Sequence, residues 1–204
     1  SSKKSFVIVD GEEELKHVEK AAEDYRGFIS RNKTERECAA EILERLERAG
    51  YISLEEAVRT GAPLEAGAKI YVNRMGKAVL SFHIGRKPLE TGMNIVGAHI
   101  DSPRLDLKQN PLYEDTGLAY ADTHYYGGIK KYQWVARELA LHGVVVKKDG
   151  TVIRVVIGED ENDPVVGISD LLIHLASEQL DKKMKEGVTG ENLDIILGGR
   201  PLPL

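Results

Sequence analysis

The stretch Asn94-Ile95-Val96-Gly97-Ala98-His99-Ile100-Asp101-Ser102-Pro103 constrains the fold of this chain most. From Met93 to Ile100 it is apolar and β-branched enough for a buried strand. Ser102-Pro103 stops that strand, because proline has no N–H for a ladder hydrogen bond. His99 is thereby placed where a central strand ends, with Asp101 two residues on. In extended backbone, residues i and i+2 point to the same side. A carboxylate there can accept a hydrogen bond from one imidazole nitrogen while the other faces a metal, which fixes the tautomer and raises ligand basicity. The spacing suits equally well a strand-end histidine followed by an aspartate that caps the next turn, since His-x-Asp is short and common.

The chain before this stretch reads as its support. Leu15, Val18, Ala22, Tyr25 and Ile29 recur at helical steps and predict a helix over 12–29, with Asp10 as N-cap and Glu12, Glu13 and Glu14 in its first turn. A second helix begins at Thr34 with Glu37 completing a capping box. Its stripe is Cys38, Ile42 and Leu46, and Gly50 ends it. The charges on both helices read as a solvated face. A short helix over 54–59 precedes a hairpin, 69–75 and 77–84, turning at Gly76. His83 fits that alternation as a packed strand residue rather than a ligand. Helix, helix, hairpin, strand opens an α/β fold in which helices cover a mixed sheet.

After Pro111 the texture changes to clustered glycines and short β stretches. Residues 139–147 and 151–157 flank Lys148-Asp149-Gly150, where Asp-Gly marks a tight hairpin. Asp160-Glu161-Asn162-Asp163-Pro164 reads as an acidic surface loop. A helix is expected over 169–186, broken by the glycines at 187 and 190. The expected division is therefore 1–108 and a β-rich second domain over 109–204.

A chain of 204 residues with 42% hydrophobic content can bury a real core. A net charge of −5 argues against nucleic acid as a partner, which calls for clustered Lys and Arg. No run approaches the ~18 apolar residues of a membrane span. Ser1-Ser2-Lys3-Lys4-Ser5 has no long apolar segment behind it and does not read as a secretory signal. The single Cys38 can form no internal disulfide, and these features together favour a cytoplasmic setting.

Three ordered blocks resemble the aspartyl aminopeptidase family of dinuclear zinc metallopeptidases. They are Gly97-Ala98-His99-Ile100-Asp101-Ser102-Pro103-Arg104-Leu105-Asp106-Leu107-Lys108; then Thr123-His124-Tyr125-Tyr126-Gly127-Gly128; then Ile168-Ser169-Asp170-Leu171-Leu172-Ile173-His174-Leu175. The resemblance covers nearly the whole chain. It implies part of a zinc-peptidase α/β/α domain (1–108), followed by an inserted β-rich dimerisation domain (109–204).

It also implies two zinc ions per complete active site, with other divalent metals able to substitute. A peptide with an N-terminal Asp or Glu would be the substrate, and the assembly a homo-oligomer of dimers built into a dodecamer. His99 matches a metal ligand and Asp101 the catalytic carboxylate that orients it. His174 matches a histidine that reaches a neighbouring subunit's site and meets substrate.

No residue here matches the family's bridging Asp, its Glu-Glu pair, its further Asp or its last His. The chain therefore reads as an N-terminal portion of such an enzyme. Glu159-Asp160 and Glu12-Glu13-Glu14 read as solvated surface, and His124 as ordering its loop. Arg104 and Lys108 suit either an acidic side chain or the domain junction. A different class of function fits as well: a non-catalytic assembly module with no metal bound in this chain.

Overall fold

In the computed structural model, which describes residues 11–200, the first helix is α1 (Glu12–Arg31). Asp10, the expected cap, lies outside the described residues, and Gly11 at the N-cap position makes no side-chain cap bond. The second, α2 (Glu35–Arg48), begins with the expected capping box between Thr34 and Glu37. Two orphan donors at its start, the Thr34 and Glu37 N–H groups, are thereby satisfied reciprocally.

A short strand β1 (Ile52–Ser53) leads into α3 (Leu54–Thr60), where Ser53 caps Glu56 N–H and Gly61 closes the end in a left-handed conformation. Strands β2 (Lys69–Arg74) and β3 (Ala78–His83) form the expected hairpin, and β1 runs parallel to β2 in a three-stranded sheet. Cys38 and Ala39 of α2, Ala57 of α3 and Ile70 of β2 are the buried apolar residues here. Glu41 of α2 accepts from Arg31 and Asn32 at the end of α1 and from Arg45 one turn on. The Arg31 guanidinium is the main cause that holds its carboxyl at about 2, well below the usual range.

The expected strand over 93–100 is corrected. The segment has no regular secondary structure and pairs with no strand among the described residues, and Met93, Ile95 and Val96 are 65%, 82% and 98% exposed. β-Branched residues favour a pleated, half-buried surface, and without a ladder partner that preference alone makes no strand.

Contacts divide the chain into two units, up to Asp101 and from Ser102. Residue 108, the expected boundary, lies within β4 (Arg104–Asp115) of the second. That strand pairs with β5 (Leu118–Tyr126) through a two-residue turn, with Thr116 and Gly117 both at positive φ as a type I′ turn requires.

Short strands β6 (Glu138–Leu139) and β9 (Val166–Gly167) and the last strand, β10 (Ile195–Gly198), complete a five-stranded sheet in the order β4-β5-β10-β9-β6. Strands β7 (Leu141–Val146) and β8 (Val152–Ile157) form a separate two-stranded ribbon. Ala121, Ile168, Val188, Leu193 and Ile195 make the core. Buried Thr123 donates its hydroxyl to the Leu193 carbonyl at 2.6 Å, which joins β5 to the chain entering β10. Tyr113 donates to Asp194 at 2.7 Å, and that bond is the main cause pushing the phenol up to about 12.

The expected helix over 169–186 is also corrected. The segment holds a 3-10 turn (Ile173–Leu175) and one α-turn, α4 (Ser177–Leu180). Asp170 accepts from Leu171 N–H at 2.8 Å and from the Gln179 amide at 3.1 Å, so its side chain competes with helical pairing. Leu171, Leu172, Ile173 and Leu175 stay 54–70% exposed, so no packed face pays for a longer helix.

Candidate metal centre

His99 and Asp101 stand close together in the first unit. Nδ1 of His99 lies 3.0 Å from the Asp101 carbonyl oxygen and 3.2 Å from its carboxylate. Both neighbours only accept, so the proton of the neutral ring belongs on Nδ1. Nε2 then carries the lone pair, on a side chain that is 84% exposed. The same-side placement expected from an extended i, i+2 pair is thus present, although no ladder supports it.

The donor set fits one metal ligand with its orienting carboxylate. A catalytic zinc uses about three protein ligands. Among the described residues no group of three or more His, Cys, Asp or Glu side chains is placed to hold an ion. Glu12, Glu13 and Glu14 are exposed in the first turn of α1, and Glu159 and Asp160 are exposed beyond β8.

The remaining candidates are placed as follows. His174 sits on the exposed 3-10 turn among Leu172, Ile173 and Leu175. His124 is an exposed β5 residue stacked on Tyr125, with ring centres 5.6 Å apart. His83 ends β3 and is exposed rather than packed. Neither cation beside the first block waits for a substrate carboxylate. Arg104 bonds Asp106 at 2.7 Å and lies over the Tyr126 ring at 4.3 Å, while Lys108 reaches Asp122 at 2.8 Å.

One pair escaped the sequence reading. His142 of β7 is the one histidine of six that is not exposed, and its Nε2 lies 2.9 Å from Glu159. Counting outward from the Asp149 turn places His142 opposite Val156, three residues short of Glu159. Strand register alone does not predict the contact, because three residues is an odd step and the chain leaves the ladder at Gly158, which has positive φ.

Among the described residues no helix is long and apolar enough to cross a membrane.

Residues 28–199 match the family model described as Aminopeptidase I zinc metalloprotease (M18). A curated relative from Clostridium acetobutylicum, described as a probable M18 family aminopeptidase 1, is 56% identical over 191 residues. That match covers 94% of this chain and 41% of the relative. The crystal structure of aminopeptidase I from that organism aligns with a TM-score of 0.82 at 54% identity, over 95% of this chain and 42% of that one. An M18 aminopeptidase from Thermotoga maritima aligns with a TM-score of 0.84 at 44% identity, over 92% and 40%. The chain thus spans about two fifths of the length of the relatives it matches.

Proposed function

The chain belongs to the aminopeptidase I zinc metalloprotease (M18) family, and on that premise we propose that it forms part of a zinc-dependent aminopeptidase removing N-terminal residues, acidic ones preferred, from peptides in the cytoplasm. The observation that carries this reading is the His99–Asp101 pair. Two acceptors hold the proton on Nδ1, and an exposed Nε2 is left to bind metal.

His99 would hold zinc through Nε2, and Asp101 would keep the ring in the binding tautomer. Zinc, when bound, supplies a Lewis acid and lowers the pKa of a bound water. Two ions per complete site and the general base call for carboxylates and a further histidine beyond those described. In this proposal the segment contributes one ligand to a catalytic unit completed by other residues.

The second unit is proposed as the assembly domain of a homo-oligomer, with His174 reaching a neighbouring subunit's site and meeting substrate there. Its support is the exposed apolar run Leu171, Leu172, Ile173 and Leu175 around the imidazole. Apolar surface of this kind is commonly hidden against a partner.

A second reading is a non-catalytic assembly module with no metal bound in this chain. The missing three-donor group among the described residues favours it. The test is hydrolysis by the full-length polypeptide. Release of N-terminal Asp or Glu, abolished by chelation and restored by zinc, is expected. Preference for apolar N-termini would remove the acidic specificity, and no metal-dependent hydrolysis at all would favour the assembly module.

A further inference from the structure

The β7–β8 ribbon is a sheet of two strands, and an isolated pair of strands is marginally stable in water. Its register is regular from Leu141↔Ile157 to Val146↔Val152, with no bulge. The outer edge of β8 pairs with no strand among the described residues. It carries none of the usual protections of such an edge: no proline, no lysine and no kink, with Arg154 its one charge. Val152, Ile153, Val156 and Ile157 of this strand are 61%, 41%, 36% and 37% exposed.

Charge is distributed unequally along the ribbon. The tip carries Lys147 and Lys148 against one carboxylate, Asp149, which accepts from the Thr151 N–H at 2.9 Å, so the tip is net positive by one. The base, just past β8, carries Glu159, Asp160, Glu161 and Asp163. Six residues of strand separate the two ends, roughly 20 Å. A basic end and an acidic end at opposite ends of an open edge are complementary to the same edge running the other way.

We propose that β8 pairs antiparallel with β8 of a second copy of this chain, about a twofold axis at Val155. This names a surface for the self-association put forward above and rests on that reading. A twofold perpendicular to the sheet keeps side chains on their own face, so residues of equal parity oppose one another. Centring on Val155 places Ile153 opposite Ile157 and Arg154 opposite Val156, so neither guanidinium meets its own copy. Centring on Arg154 would set the two guanidinium groups face to face, and like charges directly opposite are destabilising. Beyond the strand ends, the same register sets Lys147 of one tip opposite Asp163 of the other copy, while Asp149 opposite Glu161 opposes the pairing, so the net-positive tip meets the acidic loop. The product is a four-stranded sheet with isologous symmetry.

The experiment uses the full-length polypeptide and reads its dissociation by sedimentation velocity. Reversing the tip (Lys147→Glu with Lys148→Glu) or the base (Asp160→Lys) is expected to weaken association roughly ten-fold, more at low salt. Carrying both reversals in one chain is expected to restore it, because each reversed tip again meets a reversed base. Independently, Val155→Cys is expected to give a 155–155 disulfide on mild oxidation, identified as its linked peptide, whereas Val145→Cys gives none. Association unaffected by either reversal, with no 155–155 peptide, overturns the ribbon pairing while leaving self-association standing. That outcome is also the one expected if another segment of the same polypeptide covers β8. A wild-type protein that is monomeric at micromolar concentration overturns both.

Discussion

Nδ1 of His99 lies within hydrogen-bond distance of both the main-chain carbonyl and the carboxylate of Asp101, at 3.0 and 3.2 Å. The two acceptors come from one residue but differ in what a substitution removes. Asp101→Ala keeps the carbonyl and deletes the carboxylate, so it lowers the basicity of the ring without abolishing its tautomer. In the full-length enzyme this change is expected to reduce kcat/KM by about 10–100-fold while the circular dichroism spectrum stays unchanged. Activity equal to wild type, with normal zinc content, would remove Asp101 from the site.

Among the described residues no three donors come together, and His99 with its partner falls short of the about three ligands of a catalytic zinc. After dialysis against metal-free buffer, elemental analysis is expected to find well under one zinc per chain. One or two equivalents retained would mean that further ligands come together within these residues.

Much of the local structure was legible in the sequence because local rules decide it. Thr34 and Glu37 cap α2, Gly76 turns the β2–β3 hairpin, and the Asp149-Gly150 pair turns β7 into β8. The failures share one cause. Met93–Ile100 and Ser169–Glu186 have the composition of a strand and of a helix, but each needs a surface to pack on, and among the described residues Ala176 alone of these two segments is buried. Apolar periodicity records the wish for a partner and not its presence. At the site, the i, i+2 contact is present without the strand, with Asp101 beside His99 at 3.2 Å. His142 and Glu159 were passed over because Glu159 lies beyond the ladder, past Gly158 at positive φ, where neither a motif nor strand register places it.

The Glu41 network makes a pH prediction. Its carboxyl is held at about 2, chiefly by Arg31, against an ordinary value of 4.5. A depressed carboxylate contributes stability that is present above pH 4.5 and lost as pH falls through about 2. The Arg31 and Arg45 side chains are 61% and 49% exposed, so solvent screening discounts the contribution to about 1 kcal/mol. Glu41→Gln is expected to lower the unfolding free energy read from urea denaturation at pH 7 by that amount and to flatten the loss of stability between pH 4.5 and 2. A variant with the wild-type acid profile would show that the network contributes nothing.

His174 and His99 are proposed to meet in one site from two subunits. His174→Ala in the full-length enzyme is expected to lower turnover with zinc content unchanged. Mixing it with His99→Ala, after confirmed subunit exchange, is expected to restore part of the activity, because a mixed dimer holds one intact composite site. No restoration would exclude action in trans.

The central claim is that His99 binds zinc. Elemental analysis of the purified full-length enzyme tests it most directly, comparing wild type with His99→Ala after identical dialysis. The account predicts loss of at least one of the bound zinc ions from the variant, with the fold retained by circular dichroism. Zinc content equal to that of wild type would contradict it.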